Sequence, residues 1–410
     1  MNMKKVILTV LILIFVAFGF VGCSLMKKSQ SKNELVFWTL QLGTFSEYIQ
    51  PIINEFEKNH PEIKVVWVDV PYSEGGKRTL ASILSDNPPD LINSTPDFAT
   101  LLAQKNTLYT FDKTQTEQYL PSIMESLTLD NGESYYAVPF YATTAVTIYN
   151  KDLVKKAGIH DLPKTYEQMY SGSKTILDKT GAYVTMPTIN ENDTFLKILN
   201  KYNLASGEKI KSPETINLVN SYKDLYEKGL IPKESLTQTH RESLEKYMSG
   251  QIVFYNGGAN FLNLIKENAP DVYSVTDITT QITGTTGKYD YSLMNLIIPK
   301  NAKNKELALE FAKLLTDEKN QLEFAKLTTV MPVNKYTLKD EYFIKSGKDL
   351  SDKARVLSAK QLQNALTPIV YKDQKSLANI TNKIIAEILL GKTDTKSGLN
   401  ELSSWWEEHK

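Results

Sequence analysis

The chain has 410 residues, with 47 basic and 47 acidic side chains, a formal net charge of zero and a single cysteine. That balance gives no electrostatic footprint for nucleic acid, and one thiol cannot form an internal disulfide. The length exceeds what one hydrophobic core usually serves, so two domains are expected.

At the N-terminus, Lys4 and Lys5 precede Val6 to Val21, sixteen residues without a charge, and Gly22-Cys23 follows. A helix needs ~20 apolar residues to span the hydrocarbon of a bilayer. This shorter run suits the apolar region of a secretory leader. Phe20-Val21-Gly22-Cys23 resembles the bacterial lipobox, in which the cysteine is lipidated and becomes the first residue after cleavage. Phe20 stands where leucine is usual, and the alternative is an uncleaved N-terminal anchor. Both readings put the remaining chain on the extracytoplasmic face of the cell membrane. Residues 1–22 are read as the leader and 23–33 as a lipid-anchored tether. The stretch Ser24 to Asn33 is polar and basic with no apolar period, and reaches at most ~35 Å when extended. Loss of the leader removes Lys4 and Lys5, leaving 45 basic against 47 acidic residues and a net charge of −2.

Glu34 to Leu40 is an apolar run typical of a strand buried on both faces. A helix is expected within Ser46 to Lys58, with Ile49, Ile52, Ile53 and Phe56 on one stripe and Pro51 forcing a late start or a kink. Ile63 to Val70 predicts a second strand, Thr79 to Leu84 a short helix and Asp90 to Asn93 a third strand. This alternation points to right-handed βαβ units and a parallel sheet. The same grammar returns late. Leu293 to Ile298 is a strand, and Asn304 to Lys326 is a helix with Leu307, Phe311, Leu314 and Leu315 on one face. Ile380, Ile384, Ile385, Ile388 and Leu389 mark a further helix stopped by Gly391.

The sequence argues against most site chemistries. His60, His160, His240 and His409 share no metal-ligand spacing, so no metal and no cofactor is expected. There is no G-x-S-x-G elbow. Gly75-Gly76-Lys77-Arg78 lacks the spacing and the hydroxyl residue of a phosphate loop. Only Arg78, Arg241 and Arg355 are arginines, which disfavours a strongly anionic ligand. Glu74, Asp90 and Asp97 are the acids that a glycosidase pair would draw on, with ligand hydrogen-bonding or solvation as the alternative.

Tyr135 to Met169 (YYAVPFYATTAVTIYNKDLVKKAGIHDLPKTYEQM) resembles the signature of bacterial extracellular solute-binding proteins of carbohydrate ABC transporters, the maltodextrin-binding-like family. The carrying parts are aromatic-Ala-x-Pro, Tyr149-Asn150-Lys151-Asp152, Ala157-Gly158 and Pro163-Lys164-Thr165. Phe56-Glu57-Lys58 with Pro61, Pro89-Asp90-Leu91, Ile298-Pro299-Lys300 with Asn304-Lys305-Glu306, and Pro332-Val333-Asn334-Lys335 extend the likeness from Glu34 to His409.

The resemblance implies a two-lobed α/β fold of the class II periplasmic-binding type. Each lobe is a mixed, mostly parallel sheet flanked by helices, and the ligand cleft lies between lobes. Residues 34–142 with 295–335 are expected in lobe one, and 143–294 with 336–410 in lobe two, with hinges at Ala142 to Thr144 and Leu293 to Asn295. It implies no enzymatic activity and no catalytic residue. The expected role is that of a monomer that captures a neutral di- or trisaccharide and hands it to membrane permease subunits. A sensor lipoprotein, a peptide or polyamine cargo, and a surface glycosidase stay open as alternatives. Candidate ligand residues are Trp38 and Gln41, which close the first strand, with core packing as the alternative for Trp38, then Tyr72 and Glu74 after the second, Asp97 after the third, and Tyr141 and Asn295 at the crossings. Sugars offer apolar CH faces and many hydroxyls, which aromatic rings and planar polar groups match. After Gly257-Gly258 the family usually carries tryptophan, where this chain has Ala259-Asn260. Stacking there passes to Tyr255 or Phe261, with Asn260 beside them, or is absent. Trp405 and Trp406 are expected to pack the last helix.

Overall fold

A computed structural model describes residues 33–128, 133–368, 371 and 373–409. Cys23, the leader and the tether as far as residue 32 lie outside the described residues.

β1 (Glu34–Leu40) buries Leu35 and Phe37 completely. It pairs in parallel with β2 (Lys64–Val70) and with β3 (Leu91–Ser94), as the βαβ spacing predicts. β4 (Phe111–Asp112) and β5 (Ser134–Tyr135) form a small separate ribbon. β6 (Val138–Asn150) is the long element, with thirteen residues. Its first half pairs antiparallel with β9 (Tyr291–Ile297), from Val138 opposite Leu296 to Thr144 opposite Tyr291. Its second half pairs antiparallel with β7 (Phe254–Gly258) and β8 (Thr276–Thr279). β9 also pairs antiparallel with β3, closing the order β2-β1-β3-β9-β6-β7. Among the named strands parallel pairing is confined to β1–β3, while the second lobe adds isolated parallel bridges at Thr165–Thr283 and Tyr183–Ile252.

Two lobes follow from this layout, with β6 passing from one to the other between Thr144 and Ala145. The first lobe's core packs Phe37 and Phe56 edge-on or tilted against Phe311 at 5.3 and 5.0 Å. The second lobe holds separate clusters around Phe195 and Tyr222, Tyr247 and Tyr255, and Val184 and Phe254. Leu338, Phe343, Ala359, Leu362 and Ala365 pack in the first core, beyond the 335/336 boundary expected from sequence. Ala354 of the helix Leu350–Leu362 packs in the second lobe, so this helix is a further connection between cores.

The expected helix around Pro51 runs unbroken from Ser46 to Asn59. Pro51 and Glu47 are both exposed, so the carbonyl that loses its amide donor faces water. The single helix expected over 304–326 is two, Lys305–Leu315 and Glu318–Leu327. Asp317 breaks it by capping the second helix, accepting from the Asn320 amide at 2.7 Å. The short helix after β2 begins at Gly75, four residues earlier than expected, because a single 3₁₀ turn at Tyr72–Glu74 leads directly into it.

Candidate functional site

Because β1, β2 and β3 run parallel, the loops after Leu40, Val70 and Ser94 leave the same edge of the sheet. That is the end at which open α/β sheets hold ligands. Asp69 organises the first loop. Its Oδ1 accepts from Thr39 Oγ1 at 2.6 Å and from the Leu42 amide at 2.8 Å, and its Oδ2 accepts from the Gly43 amide at 2.9 Å. Gln41 between them is left-handed at φ 54°, a conformation costing a non-glycine residue ~1 kcal/mol, and it stands exposed at the edge. Sequence reasoning singled out Gln41 but not Asp69, whose register opposite Thr39 is a pairing visible only in the sheet.

In the second loop Tyr72 is 57% exposed. Glu74 is held by Arg78 at 2.5 Å, both half exposed, so the pair adds little to stability. Tyr141 of β6 is half-buried, and burial, then the neighbouring Tyr72, push its hydroxyl pKa up to about 12. In the third loop Asp97 lies in the first turn of the helix Pro96–Gln104. Desolvation and the charge of Asp193 raise its pKa, against the opposing pull of Lys197. Asp193 and Lys197 belong to the second lobe, paired to each other at 2.9 Å at the start of the helix Thr194–Lys201. Nearby, Gln104 Nε2 donates to the Tyr371 carbonyl at 3.2 Å, a direct contact between lobes.

Asn295 of β9 sits opposite Ser94 of β3 and Pro139 of β6. It is wholly buried, and neither Oδ1 nor Nδ2 has a protein partner. Its own carbonyl accepts from Asn93 Nδ2 at 3.3 Å, and Asn93 Oδ1 accepts from the Leu40 amide at 3.3 Å, tying β1 to the crossing.

In the second lobe Tyr255 is 1% exposed. Its ring stacks on His240 at 4.7 Å and its hydroxyl shares a 2.6 Å hydrogen bond with His240 Nε2. Phe261 meets both rings edge-on. The His240 amide donates to Glu191 Oε2 at 2.7 Å. Burial lowers the His240 pKa, with Glu191 opposing. Tyr255 thus has no free face, whereas Phe261 is half-buried and Asn260 is exposed. A side chain at Gly257 would press 2.5 Å from the Tyr255 ring, which accounts for glycine beneath the trio.

The other residues singled out from the sequence have the following surroundings. Trp38 is mid-strand and half-buried against the first core. Trp406 packs on Tyr371 and Trp405 stacks on His409, so both serve the last helix. Asp90 is buried and accepts from the Val36 and Asn304 amides at 2.8 and 3.0 Å, a structural tie between strand and helix. No group of three or more His, Cys, Asp or Glu side chains that could hold a metal ion occurs among the described residues.

Two lobes joined by crossing strands, with polar and aromatic side chains at the edge between them, define a cleft-type binding protein. The chain belongs to the bacterial extracellular solute-binding protein family, which matches residues 42–322. It is 23% identical over 374 residues to a binding protein of Brucella abortus, covering 87% of this chain and 88% of that one. It is also 23% identical to the galactooligosaccharide-binding protein of Bacillus subtilis, covering 92% of this chain and 89% of that one. Its fold matches a periplasmic-binding protein of Synechococcus sp. MITs9220 with a TM-score of 0.82 and 28% identity, covering 91% and 98% of the two chains.

Proposed function

We propose that this protein is the binding component of an ABC importer, capturing a neutral di- or trisaccharide between its lobes and delivering it to membrane permease subunits. The observation that carries this reading is the chemistry gathered at the sheet edge. Gln41, Asp97 and the unpartnered amide of Asn295 offer planar hydrogen-bonding groups, while Tyr72 and Tyr141 offer ring faces. A sugar needs both. Glu74 is already paired with Arg78 and Lys197 with Asp193, which leaves little for a strongly charged ligand to claim. Binding at the micromolar level is ~8 kcal/mol, within reach of a few such contacts. Phe261 and Asn260 are the second-lobe contacts in this reading, and Tyr255 supports them from below. Trp38 stiffens the first strand behind Gln41. The names of relatives that bind oligosaccharides support the same cargo class.

Lobe one comprises residues 34–142 and 295–335 in this reading, with helical packing contributed from beyond 335. Cys23 carries the lipid and the tether lets the lobes stand off the membrane. Replacement Cys23→Ala is expected to accumulate precursor, and a variant processed to the mature size that keeps its membrane association would refute the anchor.

The cargo is tested by thermal-shift screening of the chain from Lys28 onward against neutral di- and trisaccharides, sugar phosphates, uronates, peptides and polyamines. A ligand at a hundred times its dissociation constant adds ~2.7 kcal/mol of stability. A neutral sugar alone raising the melting temperature, and recovered unchanged, is the expected result. Shifts confined to a peptide or polyamine would replace the cargo, and a sugar consumed during incubation would make the protein a glycosidase.

A further inference from the structure

Lys201, at the end of the helix Thr194–Lys201, is 1% exposed yet charged. Its Nζ lies 2.8 Å from Asp290 Oδ2 and donates to Tyr166 Oη at 3.2 Å and to the Ile282 carbonyl at 3.1 Å. Burial pulls its pKa down, but Asp290 and Tyr166 outweigh that pull and leave the ammonium more basic than an ordinary lysine.

Asp290 is the residue before β9, and the next residue, Tyr291, pairs with Thr144 where β6 changes lobe. The chain of bonds continues from there. The Asp290 amide donates to Gln281 Oε1 at 2.9 Å, and the Gln281 amide donates to Gln361 Oε1 at 2.6 Å. Gln361 Nε2 in turn donates to the Ala145 carbonyl at 2.9 Å, the first residue of β6 beyond the crossing. Gln281 and Gln361 are both buried. One network therefore joins the end of this helix to both crossing strands and to the helix Leu350–Leu362 that connects the two cores. The start of the same helix carries Asp193 and Lys197, the pair whose charges reach Asp97 of the first lobe.

We propose that Lys201 is a positioning residue that references the second-lobe wall of the cleft to the crossing strands through the Asp290–Gln281–Gln361 network. As the lobes close, Asp193 and Lys197 then arrive at Asp97 in a fixed geometry instead of a range of them. Local sequence gives no sign of this role, because Asp290, Gln281 and Gln361 lie far from Lys201 along the chain. The proposal rests on the reading of a cleft between lobes but not on which solute fills it.

The test therefore uses no ligand. Spin labels are placed at Leu84→Cys and Leu264→Cys, exposed at 75% and 41% on the first and second lobes, in the full chain carrying Cys23→Ser. The distribution of distances between the labels is then measured. The double variant Lys201→Met/Asp290→Asn removes both charges together, so that no buried ion is stranded. It is expected to retain the circular dichroism of the parent and to at least double the width of the distribution. Gln361→Met, which cuts the network on its far side without touching a charge, is expected to broaden it as well. Parental widths in folded variants would overturn the proposal. If the double variant does not fold, a parental width in Gln361→Met overturns it. Failure of both variants to fold would make the network a requirement of the core and also overturn the positioning role.

Discussion

Asn295 buries an amide whose Oδ1 and Nδ2 reach no protein group, and each such group costs roughly 1–3 kcal/mol when left unpaired. If that cost is retained for binding, Asn295→Leu should raise the melting temperature of the ligand-free chain by several degrees while weakening sugar binding at least tenfold. Denaturation scans and calorimetric titration read the two effects separately, and a variant that gains stability and keeps its affinity would remove Asn295 from the site. Asp97→Ala should weaken binding by about 1–3 kcal/mol by leaving ligand hydroxyls without an acceptor, and unchanged calorimetric affinity would remove that residue as well. His240 gives a prediction in pH. Its folded pKa lies below the ordinary ~6.5, so the unfolded chain takes up the proton first as the solution acidifies. The stability that this group contributes is present above ~6.5 and is lost as pH falls through that value towards the lower folded pKa. Melting temperatures between pH 7.5 and 5 should therefore fall less steeply for His240→Gln than for the parent. Equal slopes would show that the Tyr255–His240 contact carries no such linkage.

The stretches of sequence that betray the family are largely the grammar of helix ends. Asn150 of Tyr149-Asn150-Lys151-Asp152 closes β6 and caps the next helix, its Oδ1 accepting from the Asp152 and Leu153 amides at 3.0 Å. Gly158 ends that helix in a left-handed turn at φ 79°, where a β-carbon would be strained. Thr165 forms a capping box with Gln168. Asn150→Ala should accordingly cost about 1 kcal/mol of stability with sugar affinity unchanged, measured by urea denaturation and calorimetry. A loss of affinity without a loss of stability would place the motif in the site instead. This is why β1, β2, β3 and β9 were legible from sequence as apolar runs, whereas the crossing at β6 entered only through the family resemblance. Apolar runs and caps act locally, and each leaves its mark within a few residues. The split at Asp317 was not legible, because a helical stripe continues on both sides of it and only the capping bond to Asn320 marks the break. The candidate site was legible in part. Gln41, Tyr72 and Asp97 follow strand ends, and strand ends can be read. Asp69, Asp193, Lys197 and the His240–Tyr255–Phe261 trio depend on register or on packing between distant segments, which no local pattern encodes. Tyr255 was read, with Phe261, as a substitute for the tryptophan the family carries after Gly257-Gly258, but its ring is buried over Gly257 against His240 and Phe261.

Across the whole molecule, the two lobes share β6, β9 and the helix Leu350–Leu362, and they touch at Gln104 and Tyr371. A ligand that contacts both lobes stabilises the closed arrangement by its difference in affinity between the two states and by nothing else. Motion is then expected as near-rigid rotation about Ala142 to Thr144 and Leu293 to Asn295. The measurement that bears most directly on the central claim is small-angle scattering of the chain with and without a neutral sugar, at a concentration that saturates the thermal shift. A cleft that closes on its ligand predicts a smaller radius of gyration in the bound state. Superimposable profiles at saturation would contradict it.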